Sequence, residues 1–77
     1  MKKYYLVYYS LKQYFKMRDG DGNEWDEEYN SNHIEPFEFD KEESFLLCYK
    51  SIGNDLRVKH ECKEHDEITI NDIKVMI

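Results

Sequence analysis

An eight-residue run near the start of the chain, Tyr4 to Leu11 (YYLVYYSL), constrains the fold more than any other feature. Tyr, Val and Leu suit a pleated surface, and good helix formers are few here. Both alternating sets of side chains are apolar, so the run predicts a strand in the middle of a sheet or covered on both faces. The chain has 77 residues, and a domain of that size buries only about 60% of the surface its unfolded chain exposes. That leaves room for one domain, residues 1–77, and argues against a large enzyme with a deep internal pocket. Disorder is not expected, because 40% of the residues are apolar and 16% are aromatic.

The rest of the chain is read against this strand. Tyr14–Arg18 (YFKMR) either extends it past a bend or forms a second strand after a turn at Lys12-Gln13. Every residue of Asp19-Gly20-Asp21-Gly22-Asn23 tolerates positive φ or makes side-chain turns, which predicts a tight reversal. Glu24–Tyr29 is then the return strand of a hairpin. Asn30–Pro36 has the composition of a loop, and Phe37 and Phe39 suit a short extended piece.

Asp40 and Glu43 have the spacing of a capping box, Phe45, Cys48, Tyr49 and Ile52 follow at helical spacing, and Gly53 is placed to stop a helix. Together they predict one helix over residues 41–52. A buried strand over Phe45–Tyr49 competes, and the caps favour the helix. Leu56, Val58, His60 and Cys62 alternate with charged residues and predict a half-buried strand. Ile68 and Ile70 alternate, and Ile73, Val75 and Ile77 do so one residue out of phase. That phase shift predicts a β-bulge at Asn71-Asp72, with a tight hairpin as the alternative. The expected class is α+β: a small antiparallel β-sheet of four to five strands with one helix packed on one face, in the order ββ(β)αββ.

Charge is unevenly distributed. Between Asp19 and Glu43 there are eleven acidic residues and one base, Lys41, a net charge of −10; the remainder has ten bases and six acids, a net charge of +4. One consequence is solubility. The other is recognition of a basic surface, because carboxylates along a hairpin can imitate the phosphates of nucleic acid. Trp25, Tyr29 and Phe37 lie among these acids, and aromatics are common interface anchors, although each one alone is also explained by core packing. The candidate partner-binding residues are Asp19, Asp21, Glu24, Trp25, Asp26, Glu27, Glu28, Tyr29, Glu35 and Glu38. The same electrostatics disfavour direct binding to nucleic acid. The bases Lys12, Lys16, Arg18, Arg57, Lys59 and Lys63 together with Tyr-rich strands suggest a single-strand stacking platform, but the net charge opposes it and no RNP-type motif is present.

Metal and catalytic patterns are weak. With Gly22 at the glycine position of an EF-hand loop, Asp19, Asp21 and Glu28 fall on ligand positions, but Met17 takes the first. Starting at Asp19 instead puts Glu24 at the glycine position and Asn30 at the bidentate Glu position. His60, Cys62 and His65, with Cys48 elsewhere, are zinc-competent types without a known double-knuckle spacing. On a strand, His60 and Cys62 would share a face. Cys48 falls on the apolar side of the expected helix and reads as packing. No phosphate-cradling Gly loop, G-x-S-x-G or HExxH occurs. The expectation is a protein that is not an enzyme, with no catalytic residues, metal or cofactor.

No stretch approaches the ~18 apolar residues of a membrane span. The run after Met1-Lys2-Lys3 is too short and Tyr-rich for a signal peptide. Two cysteines are too few for a disulfide scaffold, so a reduced cytoplasmic protein is expected. The functional expectation is a small acidic binding protein that inhibits a nucleic-acid-processing protein by occupying its basic surface. Small phage-encoded anti-defence inhibitors, such as anti-CRISPR proteins, are the analogy, drawn from size and charge with no motif behind it. One alternative is a homodimer or larger oligomer binding a ligand or partner between subunits, suggested by sticky strand surface. A further one is a Ca²⁺- or Zn²⁺-dependent switch.

Overall fold

The computed structural model describes residues 1–76. β1 (Lys2–Arg18) and β2 (Glu24–Asp40) form a hairpin of two 17-residue strands, α1 (Phe45–Lys59) follows, and β3 (Glu67–Met76) returns to the sheet. All pairings are antiparallel, and the strand order is β2-β1-β3. The fold is α+β, and the run Tyr4–Leu11 lies in its central strand.

The sheet has three strands in the order ββαβ, where the sequence predicts four to five in the order ββ(β)αββ. Two local expectations account for the difference. Asn30–Pro36 is not a loop. It lies in β2, paired from Lys12 to Leu6 in unbroken register, and Pro36 is tolerated because β2 is an edge strand. The predicted strand over residues 56–63 is instead the last turn of α1 and the turn beyond it. Tyr14–Arg18 extends β1 without a turn at Lys12-Gln13.

The helix is displaced from its expected bounds. Asp40 ends β2 and pairs with Lys2 at 2.7 Å, so it is not the cap. Ser44 is the N-cap, its hydroxyl accepting the Leu47 N–H at 3.3 Å. Gly53 does not stop the helix, because Cys48, Ile52 and Leu56, at i, i+4 and i+8, continue one fully buried stripe across it. Burying Leu56 outweighs the ~1 kcal/mol by which an interior Gly weakens a helix. The stop comes later, at Glu61, which holds φ +50°. Glu61 N–H donates to the Val58 carbonyl at 3.1 Å and Cys62 N–H to the Arg57 carbonyl at 2.9 Å, the two bonds of a Schellman cap.

The core is one layer between α1 and the sheet. Tyr5, Val7, Tyr9 and Leu11 of β1 are buried, with Phe37 and Phe39 of β2 and Ile68, Ile70 and Ile73 of β3 packed beside the core. The phase shift in β3 is a bulge, as its pattern predicts: Ile70 pairs with Tyr9 and Asp72 with Tyr8, so Asn71 is the extra residue. That single insertion keeps Ile68, Ile70 and Ile73 on the helix side. The other face of β1, with Tyr4, Leu6 and Tyr8, has no second layer over it among the described residues; Lys74 Nζ lies 5.0 Å from the Tyr8 ring.

β3 begins opposite Lys12, so β1 runs on beyond it with only β2 as a neighbour. Residues 13–29 therefore form a two-stranded arm, and the molecule measures 59 × 18 × 14 Å. At the tip, Gly22 takes φ +87° and its N–H donates to the Asp19 carbonyl at 3.3 Å, confirming the tight reversal.

Candidate partner-binding surface

Strand periodicity decides which candidate residues meet. In unbroken register, successive β2 side chains point to opposite faces of the hairpin. Trp25, Glu27, Tyr29 and Glu35 share the face on which α1 packs, whereas Glu24, Asp26, Glu28 and Glu38 lie on the other. Asp19 and Asp21 are at the tip. The ten residues thus divide into three groups and do not converge on one face.

The open face of the arm is largely neutralised within the chain. Its acids Glu24 and Asp26 sit across from Arg18 and Lys16 of β1, and Glu28 lies diagonal to Lys12 at 3.8 Å. Glu24 binds Arg18 and lies 3.2 Å from Lys16, and these bonds, Arg18 first, hold its carboxyl below the usual value. Glu28 is lowered likewise, chiefly by the Asn30 amide and then by Lys12. Glu38 accepts from the Tyr4 hydroxyl at 3.3 Å. Such exposed pairs add little stability, but they remove free charge. Asp26 stands in this row with no ion pair among the described residues.

At the tip, Asp19 is committed to the turn. Its Oδ1 accepts the Asp21 and Asn23 N–H groups at 2.9 and 3.0 Å, and its Oδ2 accepts the Asn23 amide at 3.0 Å. The Asn23 side-chain bond leads the causes that lower its pKa. Asp21 has no ion pair among the described residues.

The helix-side face of the arm has a different character. α1 does not reach it, and Phe15, Trp25 and Tyr29 are each 41–50% exposed. Phe15 meets Tyr29 edge-on at 5.2 Å between centroids, and Met17 pairs with Trp25 across the strands. Glu27 sits between Trp25 and Tyr29, opposite Phe15, and accepts the Tyr29 hydroxyl at 2.7 Å. That bond raises the Tyr29 pKa.

Glu35 is half-buried beside the C-terminal end of α1 and is not part of this surface. It accepts the Tyr9 hydroxyl at 2.8 Å and binds Lys59. Burial pushes its carboxyl up, but Lys59 and the Tyr9 hydroxyl outweigh that and leave it lowered. The Tyr9 hydroxyl also lies 2.6 Å from His60 Nε2, and the Tyr9 ring stacks on His33 at 5.1 Å. Burial, then Glu35, raises the Tyr9 pKa. This Tyr9–His33–Glu35–His60 cluster was not legible in the sequence, because its members are up to 51 residues apart and meet only when α1 docks.

The zinc-competent residues are not arrayed on a strand: His60 caps α1 and Cys62 follows in the Schellman turn, so they do not share a strand face. Among the described residues, no group of three or more His, Cys, Asp and Glu side chains is arranged to hold a metal ion. Cys48 is fully buried in the core and Cys62 half-buried; both are free thiols, and burial raises the pKa of Cys62. An open cleft of about 550 Å³ lies where the arm leaves the sheet, lined by Tyr14, Lys16, Asp26, Lys63, His65, Asp66 and Glu67. Among the described residues, no helix is long and apolar enough to cross a membrane.

Comparison of the chain with protein-family models, with characterised proteins and with solved structures finds no match.

Proposed function

We propose that this protein is a binding protein that inhibits a nucleic-acid-processing partner by inserting its β-arm into the partner's basic surface. The partner-binding residues are centred on Asp21, Trp25, Asp26, Glu27 and Tyr29. The observation that carries the reading is the arm itself: a projecting two-stranded element with exposed aromatics on one face and four acids, Asp19, Asp21, Asp26 and Glu27, that hold no ion pair among the described residues, Asp19 being committed to the turn. Residues 13–29 contain six acids and two bases, a net charge of −4. A basic groove would steer such an arm inward, and the aromatics would supply apolar anchoring once it is seated. The action is competitive and needs no catalysis, cofactor or direct contact with nucleic acid. A reduced cytoplasmic setting, and an anti-defence role of the phage-inhibitor kind, fit this mode.

The test is the triple variant D21K/D26K/E27K, which leaves the internal pairs of Glu24 and Glu28 intact. Partners captured from host lysate by the wild-type chain at low salt are expected to be released by high salt and not to bind the folded variant. Unchanged capture by a folded variant overturns the reading.

A second reading, self-association, is favoured by a different observation. Phe45, Leu46 and Leu47 of α1 are all more than half exposed, as is Val75 on the β3 edge. An unpaired edge beside apolar surface invites a second copy. Light scattering showing a dimer that Leu46→Lys and Leu47→Lys dissociate supports it; a monomer at high concentration excludes it.

A further inference from the structure

Resting on the arm as the partner-binding element, we propose that Trp25, Glu27 and Tyr29 form a recognition site for one arginine side chain of the partner protein. The three residues occupy i, i+2 and i+4 on one face of β2, at intervals of about 7 Å along the strand. A carboxylate therefore stands between two exposed aromatic residues. The Tyr29 hydroxyl holds Glu27 Oε2 at 2.7 Å, which orients the carboxylate without neutralising it.

Three observations favour a guanidinium at this position. Glu24, Glu28, Glu35 and Asp40 of the same strand each pair with a Lys or Arg of this chain, whereas Asp26, Glu27 and Glu38 pair with none among the described residues, and of these three only Glu27 lies on the aromatic face. The surface already draws a cation where the chain can supply one: Lys63 Nζ lies 6.0 Å from the centroid of Phe15, the residue opposite Glu27. Trp25, whose indole is the strongest cation–π acceptor among side chains, has no cation of the chain over it among the described residues.

Arginine fits this arrangement better than lysine. A planar guanidinium can lie flat on an indole or phenol ring while its edge N–H groups fork onto a carboxylate. An ammonium is a compact, strongly hydrated point charge and does not combine the two geometries. Arginines in nucleic-acid-binding grooves make the same bidentate bonds to phosphate, so Glu27 would compete for a group that otherwise holds the nucleic-acid backbone.

Trp25 is the only tryptophan, so its fluorescence reports on the site. The experiment titrates nona-arginine and nona-lysine peptides into the full chain at low ionic strength. Nona-arginine is expected to change the Trp25 emission saturably and to bind about tenfold more tightly than nona-lysine. E27Q, a near-isosteric change at a half-buried residue whose fold is checked by circular dichroism, is expected to bring nona-arginine down to the nona-lysine level. W25A, followed by calorimetry, is expected to lose most of the preference for arginine. Equal, salt-dependent binding of both peptides that is indifferent to E27Q overturns the arginine site and leaves the broader acidic-arm reading in place. Binding of neither peptide to the folded wild-type chain overturns both.

Discussion

The carboxylate of Asp66, just before β3, accepts the backbone N–H of Tyr14 in β1 at 3.1 Å, across 52 residues of chain. The same carboxylate accepts the Lys63 N–H at 2.8 Å, while Arg57 donates to the Asp66 and Lys63 carbonyls. β3 starts opposite Lys12, so Tyr14 is the first β1 residue whose outward N–H has no strand to receive it. Asp66 closes that end of the ladder, ties the helix exit to the sheet and sets where the arm begins.

Loss of this clamp is expected to loosen the base of the arm. D66A should lower the melting temperature by several degrees near neutral pH and speed hydrogen exchange at the Tyr14 amide. The Lys63 N–H bond leads the causes that hold the Asp66 carboxyl below its usual value. Its contribution is therefore complete above the unfolded pKa of about 3.9 and lost as pH falls through the folded value. The gap between wild type and D66A should narrow in acid; a gap independent of pH would falsify the assignment.

His60 gives a pH dependence at a higher value. Burial first, then the neighbouring His33, lowers its pKa, with Lys59 acting the same way and Glu35 opposing. The His33 and His60 rings are 5.0 Å apart, and the Tyr9 hydroxyl completes the surroundings. A lowered histidine favours the neutral fold. Its contribution is full above the unfolded pKa of about 6.5 and falls as pH drops from there through the folded value. The urea midpoint should decline between pH 7.5 and 5.5, and H60Q should flatten that part of the curve. An equal decline in H60Q would assign the effect elsewhere.

Two substitutions in α1 and its cap should stabilise the protein. A Cβ at Gly53 meets nothing within 4 Å, and the residue lies inside the helix, so Gly53→Ala should add about 0.5–1 kcal/mol. Glu61→Gly relieves a left-handed conformation and should add a similar amount, roughly 0.5–1 kcal/mol. Chemical denaturation measures both. Destabilisation by Gly53→Ala would show that α1 is broken at that position.

Position on the helix separates core from surface. Ile52→Ala and Leu56→Ala remove fully buried side chains and should each cost about 2–5 kcal/mol, enough to unfold a chain this small. Leu46→Lys, on a 63% exposed residue, should leave monomer stability within about 0.5 kcal/mol. Thermal melts of the three variants at one concentration test this contrast.

Local chemistry was enough for several features. The two-faced apolar run placed β1 at the centre of the sheet, the Asp-Gly-Asp-Gly-Asn segment set the hairpin turn, and the broken alternation around Asn71 located the bulge. Each depends on residues within a few positions of one another. The acidic and aromatic content of the candidate surface was legible in the same way. Its division between two faces was not, because that required β2 to continue in register through Asn30–Pro36, whose polar residues and proline read as a loop.

Tertiary burial decided the rest. Asp40 and Gly53 carried plausible local signals for the ends of a helix, but Leu56 gains more from reaching the core than the helix loses at Gly53, and Glu61 accepts a left-handed conformation so that the chain can turn there. Pairing with β1 likewise turned a loop-like segment into an edge strand, and the same pairing brought Lys12, Lys16 and Arg18 against Glu24 and Glu28. Sequence alone determined that the chain carries an excess of carboxylates; only the packed sheet decided which were neutralised by neighbours and which hold no ion pair among the described residues. The reason is physical: charge is a property of each residue, whereas neutralisation depends on distances that exist only after distant segments have paired.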